Sequence, residues 1–126
     1  MQPDELVRLR ADTSNTVVAT LDLPFEPVPG GVAAGGGGIW ISNAAHNRLV
    51  RVDPARTRIV GRIRVGRYPT AVAWGFGSVW VANNADGTVS RVDPRRGKVV
   101  ATIRVGPHPT AIAVGEGGVW VAVHAA

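Results

Sequence analysis

The sequence predicts an all-β chain made of repeated four-stranded antiparallel meanders, and three observations carry that prediction. Residues 27–66 align with 67–106 without a gap and are identical at 18 of 40 positions, and a period of this size marks a repeat architecture. The 126 residues include 16 Gly and 9 Pro with almost no helical periodicity, so short strands and tight turns dominate. Within each copy only a few turn residues separate the apolar stretches, which makes neighbours in sequence neighbours in space.

The elements follow in order, with the strands of a unit lettered A to D. Leu6-Val7-Arg8-Leu9 matches strand C of the later copies, and residues 16–23 match strand D. A full unit spans 28–66, and its better-marked counterpart spans 69–106. In the latter, Ala71-Val72-Ala73-Trp74 is strand A, closed by Gly75-Phe76-Gly77. Residues 79–83 form strand B, closed by Asn84-Ala85-Asp86-Gly87, where Gly accepts positive φ without steric cost. Residues 89–92 form strand C, closed by Asp93-Pro94-Arg95-Arg96-Gly97. There Pro presets φ, and the Asp carboxylate accepts backbone N–H groups of the turn. Residues 99–105 form strand D, and Gly106 with Pro109 marks the crossing to the next unit. Residues 112–114 are strand A again and 119–123 strand B.

Side-chain character says how such units stack. Strand A carries small residues (Ala71, Ala73, Ala111, Ala113), as suits an innermost strand. Strand B is apolar on both parities, so both faces of its sheet are covered. Strand D alternates Thr102 and Arg104 with Ile103 and Val105, the period-2 pattern of a half-exposed outer strand. Sheets buried at one end, wet at the other and stacked face to face are the blades of a β-propeller.

The segment Val79-Trp80-Val81-Ala82-Asn83, followed by Gly87-Thr88-Val89-Ser90 and Val92-Asp93, then by Lys98 to Ile103 and Pro109-Thr110-Ala111-Ile112-Ala113, resembles the YVTN-type β-propeller repeat. That group stands close to the NHL-like and virginiamycin B lyase-like propellers. The resemblance covers about residues 6–124 and implies the fold. The chain departs from it at Val123, where the other copies have Asn, and at Arg10-Ala11, where they have Asp-Pro.

The count is a half-blade at 6–23, blades at 28–66 and 69–106, and a half-blade at 110–124: three blade-equivalents, too few to close a ring of four or more. The halves are complementary, C–D at one end and A–B at the other. The expectation is a blade split between chains, with Leu6, Val7, Arg8 and Leu9 of one chain meeting Val119, Trp120, Val121, Ala122 and Val123 of another. Two chains joined head to tail make a six-bladed homodimer. A trimer, with nine blades, and a segment of a longer single-chain propeller are the alternatives.

Composition excludes several function classes. The chain has no Cys, hence no disulfide framework and no thiol nucleophile. Its first residues lack a basic segment followed by an apolar core, and no apolar run approaches a membrane span, so neither a signal peptide nor a membrane partner is expected, and the location is cytoplasmic if the sequence is complete. The net charge of +5 comes from Arg at repeat positions (Arg51 and Arg91, Arg56 and Arg96, Arg64 and Arg104). That placement reads as a solvated basic rim of the scaffold and argues against a nucleic-acid surface.

In this architecture the D-to-A crossings and B-to-C turns share one face, the usual ligand side by analogy. The candidate ligand-binding residues there are Phe25, Glu26, Arg67, Tyr68 and His108 from the crossings, with Asn43, His46, Asn83, Asn84 and Asp86 from or beside the turns. A cation, an aromatic face and an imidazole suit a small polar or anionic ligand. The resemblance also raises a lyase-like enzyme that uses loop histidines, acids and a divalent metal. Here Thr70 and Thr110 stand where that family shows His-Gly, and no metal-ligand spacing is present. No catalytic residue, metal or cofactor is therefore assigned. Asp53 and Asp93 read as turn formers, the run Gly35 to Gly38 as a loose A-to-B turn, and Trp40, Trp80 and Trp120 as packing between blades, with Trp74 off the repeat. The reading is a non-catalytic binding or scaffold module that assembles with itself. Its rivals are a lyase-like enzyme and a ligand-sensing part of a larger receptor.

Overall fold

Three pairs of residues set the geometry of the strand reversals: Gly36-Gly37, Phe76-Gly77 and Glu116-Gly117 all have positive φ. Two consecutive residues in that region make a two-residue turn whose twist matches that of the flanking strands. The computed structural model describes residues 4–11, 16–27 and 30–125. In it Gly35 pairs with Gly38, Gly75 with Ser78 and Gly115 with Gly118. The four-glycine run is therefore a tight hairpin and not the loose turn expected, because glycine at both central positions removes the steric cost of φ > 0.

The strands are β1 (Glu5–Leu9), β2 (Val17–Asp22), β3 (Val32–Gly35), β4 (Gly38–Asn43), β5 (Arg48–Asp53), β6 (Arg58–Arg64), β7 (Pro69–Gly75), β8 (Ser78–Asn83), β9 (Thr88–Asp93), β10 (Lys98–Arg104), β11 (Pro109–Gly115) and β12 (Gly118–Val123). Two four-stranded sheets have the orders β3-β4-β5-β6 and β7-β8-β9-β10, and β1-β2 and β11-β12 are two-stranded. Every pairing is antiparallel. The expected start of the first full blade, at Val28, lies outside the described residues.

The C-to-D turns are built as their residues dictate. Asp53 Oδ1 accepts the backbone N–H of Ala55 at 2.9 Å, and Asp93 Oδ1 accepts that of Arg95 at 2.9 Å. Beyond these turns each C–D pair carries one bulge, which passes over Val18, Val60 and Val100 respectively. The half-blade β1-β2 thus has the register of the complete blades.

Each four-stranded sheet presents a tryptophan face and a valine face, since residues directly opposite on neighbouring strands point the same way. In the first full blade the tryptophan face holds Trp40, Leu49 and Ile63. It packs on the valine face of the next blade, Val72, Val79, Val81 and Val92, to form the main core. A second cluster joins Ile41 and Val52 of the first full blade to Leu6 and Leu21 of β1-β2, with Leu23 beneath. Strands β3, β7 and β11 pack side by side on the inner side. Trp74 has a definite place: it takes the strand-A position that Ala34 and Val114 hold elsewhere and reaches over Gly35 and Gly36 of the preceding blade, where a Cβ would collide with its indole.

Candidate functional site

The crossings and B-to-C turns meet on one face through backbone hydrogen bonds. Asn84 N–H donates to Tyr68 O at 2.9 Å, Ala85 N–H to Arg67 O at 3.2 Å and His124 N–H to His108 O at 3.0 Å. Side chains fix the crossing further. Asn47 Oδ1 accepts the N–H of Tyr68 at 2.9 Å, and Asp86 Oδ2 accepts that of Arg67 at 2.9 Å. The Arg67 guanidinium lies 4.0 Å from the Asp86 carboxylate, an exposed pair of small energetic weight. Tyr68 and His108 both sit at positive φ, a conformation a side chain tolerates only when the surrounding bonds hold it.

Among the sequence candidates, Asn84, Asp86 and His108 line one groove of about 360 Å³, joined by Arg104 and Pro107. Arg67 and Tyr68 adjoin it through Asp86 and Asn84. Glu26 is exposed on its own crossing. Phe25 is half-buried against the cluster of Leu23, Ile41 and Val52. Asn43 and Asn83 are interior. Asn83 Nδ2 donates to Ser90 Oγ at 2.9 Å and to Thr88 Oγ1 at 3.2 Å, while His46 Nδ1 lies 3.3 Å from Asn43 Oδ1. Arg104 reads from the sequence as rim, and its period-2 position in an outer strand gives no sign that it borders the groove. Among the described residues no three His, Asp or Glu side chains are grouped to hold a metal ion, and no helix is long and apolar enough to cross a membrane.

A second feature lies at the two terminal sheets. No strand among the described residues pairs with the free edge of β1 or of β12. Beside β1 runs a crevice of about 460 Å³, lined by Leu6, Arg8, Val32, Ala34, Ile39 and Val52 among others. Val32 is 56% exposed there, whereas its counterpart Val72 is 8% exposed beneath a neighbouring blade. At the opposite end Trp120 is 60% exposed, against 0% for Trp40 and 8% for Trp80. Ile103 is 40% exposed where the equivalent Ile63 is 9%.

The repeated tryptophans share one setting. Trp40 Nε1 donates to Gly35 O, Trp80 to Gly75 O and Trp120 to Gly115 O, at 2.9, 2.9 and 2.7 Å. Over Trp40 lies Arg51, its guanidinium carbon 5.1 Å from the ring centroid, and over Trp80 lies Arg91 at 4.7 Å. Each arginine comes from strand C, directly across from its tryptophan.

No protein-family model matches the chain, and no curated protein matches its sequence. Among solved structures it is similar to hydrazine synthase of Kuenenia stuttgartiensis, at 27% identity over 77% of this chain and 29% of that one, with a TM-score of 0.71. It is also similar to virginiamycin B lyase from Staphylococcus aureus, at 15% identity, 93% and 41% coverage and a TM-score of 0.73. A functionally unknown protein from Desulfotomaculum acetoxidans is similar at 18% identity, 98% and 43% coverage and a TM-score of 0.77. The chain spans 29–43% of the length of these three structures. Together they show the β-propeller fold.

Proposed function

We propose that this chain is a β-propeller module that binds a small polar or anionic ligand without catalysis, in a ring completed head to tail by a second copy. The single observation that carries the reading is the complementarity of the two terminal sheets. One is a C–D pair with the bulge of a complete blade, and the other an A–B pair whose register shift between Pro109 and Ala111 repeats that between Pro69 and Ala71. Joined, the two halves form a blade, and two chains supply six, within the common range. The exposed apolar surfaces at both ends would otherwise favour uncontrolled association.

The ligand reading rests on the groove of Asn84, Asp86, Arg104 and His108, whose walls are fixed by the backbone bonds of the crossing. Hydrogen-bond donors, an imidazole and a guanidinium converge there, and one carboxylate limits the net positive charge. That balance favours a small polar or singly charged anionic group over a polyanion.

Light scattering of the 126-residue chain tests the assembly. A mass of twice 13.2 kDa at micromolar concentration is the expected result. A stable monomer, or a trimer, overturns the six-bladed ring. Turnover that depends on an added divalent metal would reverse the non-catalytic half of the reading.

A further inference from the structure

Resting on the head-to-tail reading above, we infer that the crevice beside β1 is the receptor for Trp120 of a second copy. Strand β12 delivers it by pairing antiparallel with β1 so that Trp120 lies opposite the second copy's Arg8, Val121 opposite Val7 and Val119 opposite Leu9.

The repeat fixes this register. Trp40 lies opposite Arg51 and Trp80 opposite Arg91. Glu5-Leu6-Val7-Arg8 stands in β1 as Arg48-Leu49-Val50-Arg51 stands in β5, with the same pairing to strand D and the same bulge. Arg8 is thus the strand-C arginine of the half-blade that lacks a tryptophan, and Trp120 is the tryptophan of the half-blade that lacks an arginine. The hydrogen bond from Trp120 Nε1 to Gly115 O already holds the indole as Trp40 and Trp80 are held.

The crevice is also the right cavity. Trp40 is enclosed with Leu49, Val72, Val79 and Val92, and Trp74 packs beside them. Position by position the crevice presents Leu6, Val32, Ile39, Val52 and Ala34, the same set with isoleucine replacing Val79 and alanine replacing Trp74. Gly115 completes the fit. Gly35 and Gly75 lie under Trp74 and Val114, whereas a Cβ on Gly115 would meet nothing, which leaves its surface open to the second copy's Ala34. On the reverse side of the joint, the exposed Ile103 would meet Val7, Leu9 and Val17, all exposed in the single chain. An indole closed between an apolar wall and a guanidinium is the type of anchor that dominates an interface.

The chain contains no Cys, so a paired substitution reads the register directly. In the variant carrying Val7→Cys and Val121→Cys, mild oxidation should give a covalent dimer with no higher ladder, because a closed ring joins the same two chains twice. The variant carrying Glu5→Cys and Val119→Cys is offset by four residues, beyond disulfide reach, and should stay uncrosslinked. Trp120 is exposed in the single chain, so Trp120→Ala should leave the fold intact by circular dichroism while weakening dimerisation about a thousandfold, about thirtyfold for the hot spot lost at each of the two joints. Trp120→Phe should recover part of the loss. If the chain dimerises but the in-register pair fails to link, or Trp120→Ala dimerises like the wild type, this inference falls and head-to-tail assembly stands. A monomeric wild-type chain removes both.

Discussion

The indole of Trp74, in the strand A of one blade, occupies the space that a side chain on Gly35 of the preceding blade would need. Gly35 also has a φ of 153°, a conformation that L-residues rarely adopt. Gly35→Ala should therefore destabilise the chain by about 1–3 kcal/mol, the usual cost of overpacking, read as a lower denaturation midpoint at fixed protein concentration. Adding Trp74→Ala should make the pair less damaging than the sum of the single changes, the signature of direct contact.

Arg91 offers a second check. Its guanidinium covers Trp80 and its Nε donates to Ser78 Oγ at 2.8 Å. Arg91→Lys keeps the charge but loses the planar fork and the ring stacking, so a loss of about 1 kcal/mol is expected. Arg91→Ala should cost more, because packing over the ring is lost as well. Equal midpoints for Arg91→Lys and the wild type would refute the stacking role.

Asp93 makes stability depend on acid. The backbone N–H of Arg95 holds its carboxyl below the usual aspartate value, helped by the N–H of Arg96 and by the charges of Arg96 and Arg95, against a smaller opposing effect of burial. A depressed folded-state pKa contributes stability that is fully present above the unfolded value and is lost as the pH falls through the folded one. Asp93→Asn should therefore be less stable than the wild type near neutrality, and the gap in melting temperature should close as the pH falls below the usual aspartate value. A gap that persists at the acid end would contradict this assignment.

The groove under His108 is tested with inorganic phosphate as the probe. In an amide-resolved titration, the shifts should cluster at residues 84–87 and 104–108, which line it. Arg104→Ala and His108→Ala should each weaken binding about three- to tenfold, the range of one charge-assisted hydrogen bond discounted for exposure. Shifts spread over the basic rim would instead indicate unspecific charge attraction.

Much of the blade was legible in the sequence because its causes are local. The Asp53 and Asp93 turns, the glycines at positive φ and the alternation of strand D each follow from residues a few positions apart. The groove was less legible. Asn83 reads as a ligand-binding candidate at the end of strand B, yet the sheet end closes over it and Gly66 packs on its side chain. Phe25 reads as a ligand-facing aromatic, yet it leans on the hydrophobic cluster beneath the crossing. In both cases the deciding neighbour comes from a part of the chain that local pattern does not reach.

By itself, the sequence determined the repeat, the four-strand unit and the opposite character of the two terminal halves, since hydrophobic period and turn chemistry act over a handful of residues. Only the tertiary structure decided which faces meet. The placement of Trp74 on Gly35 and of the open crevice beside β1 comes from the stacking of separate sheets. The physical reason is that burial depends on what a neighbouring blade covers, so the equivalent residues Trp40 and Trp120 end in opposite environments.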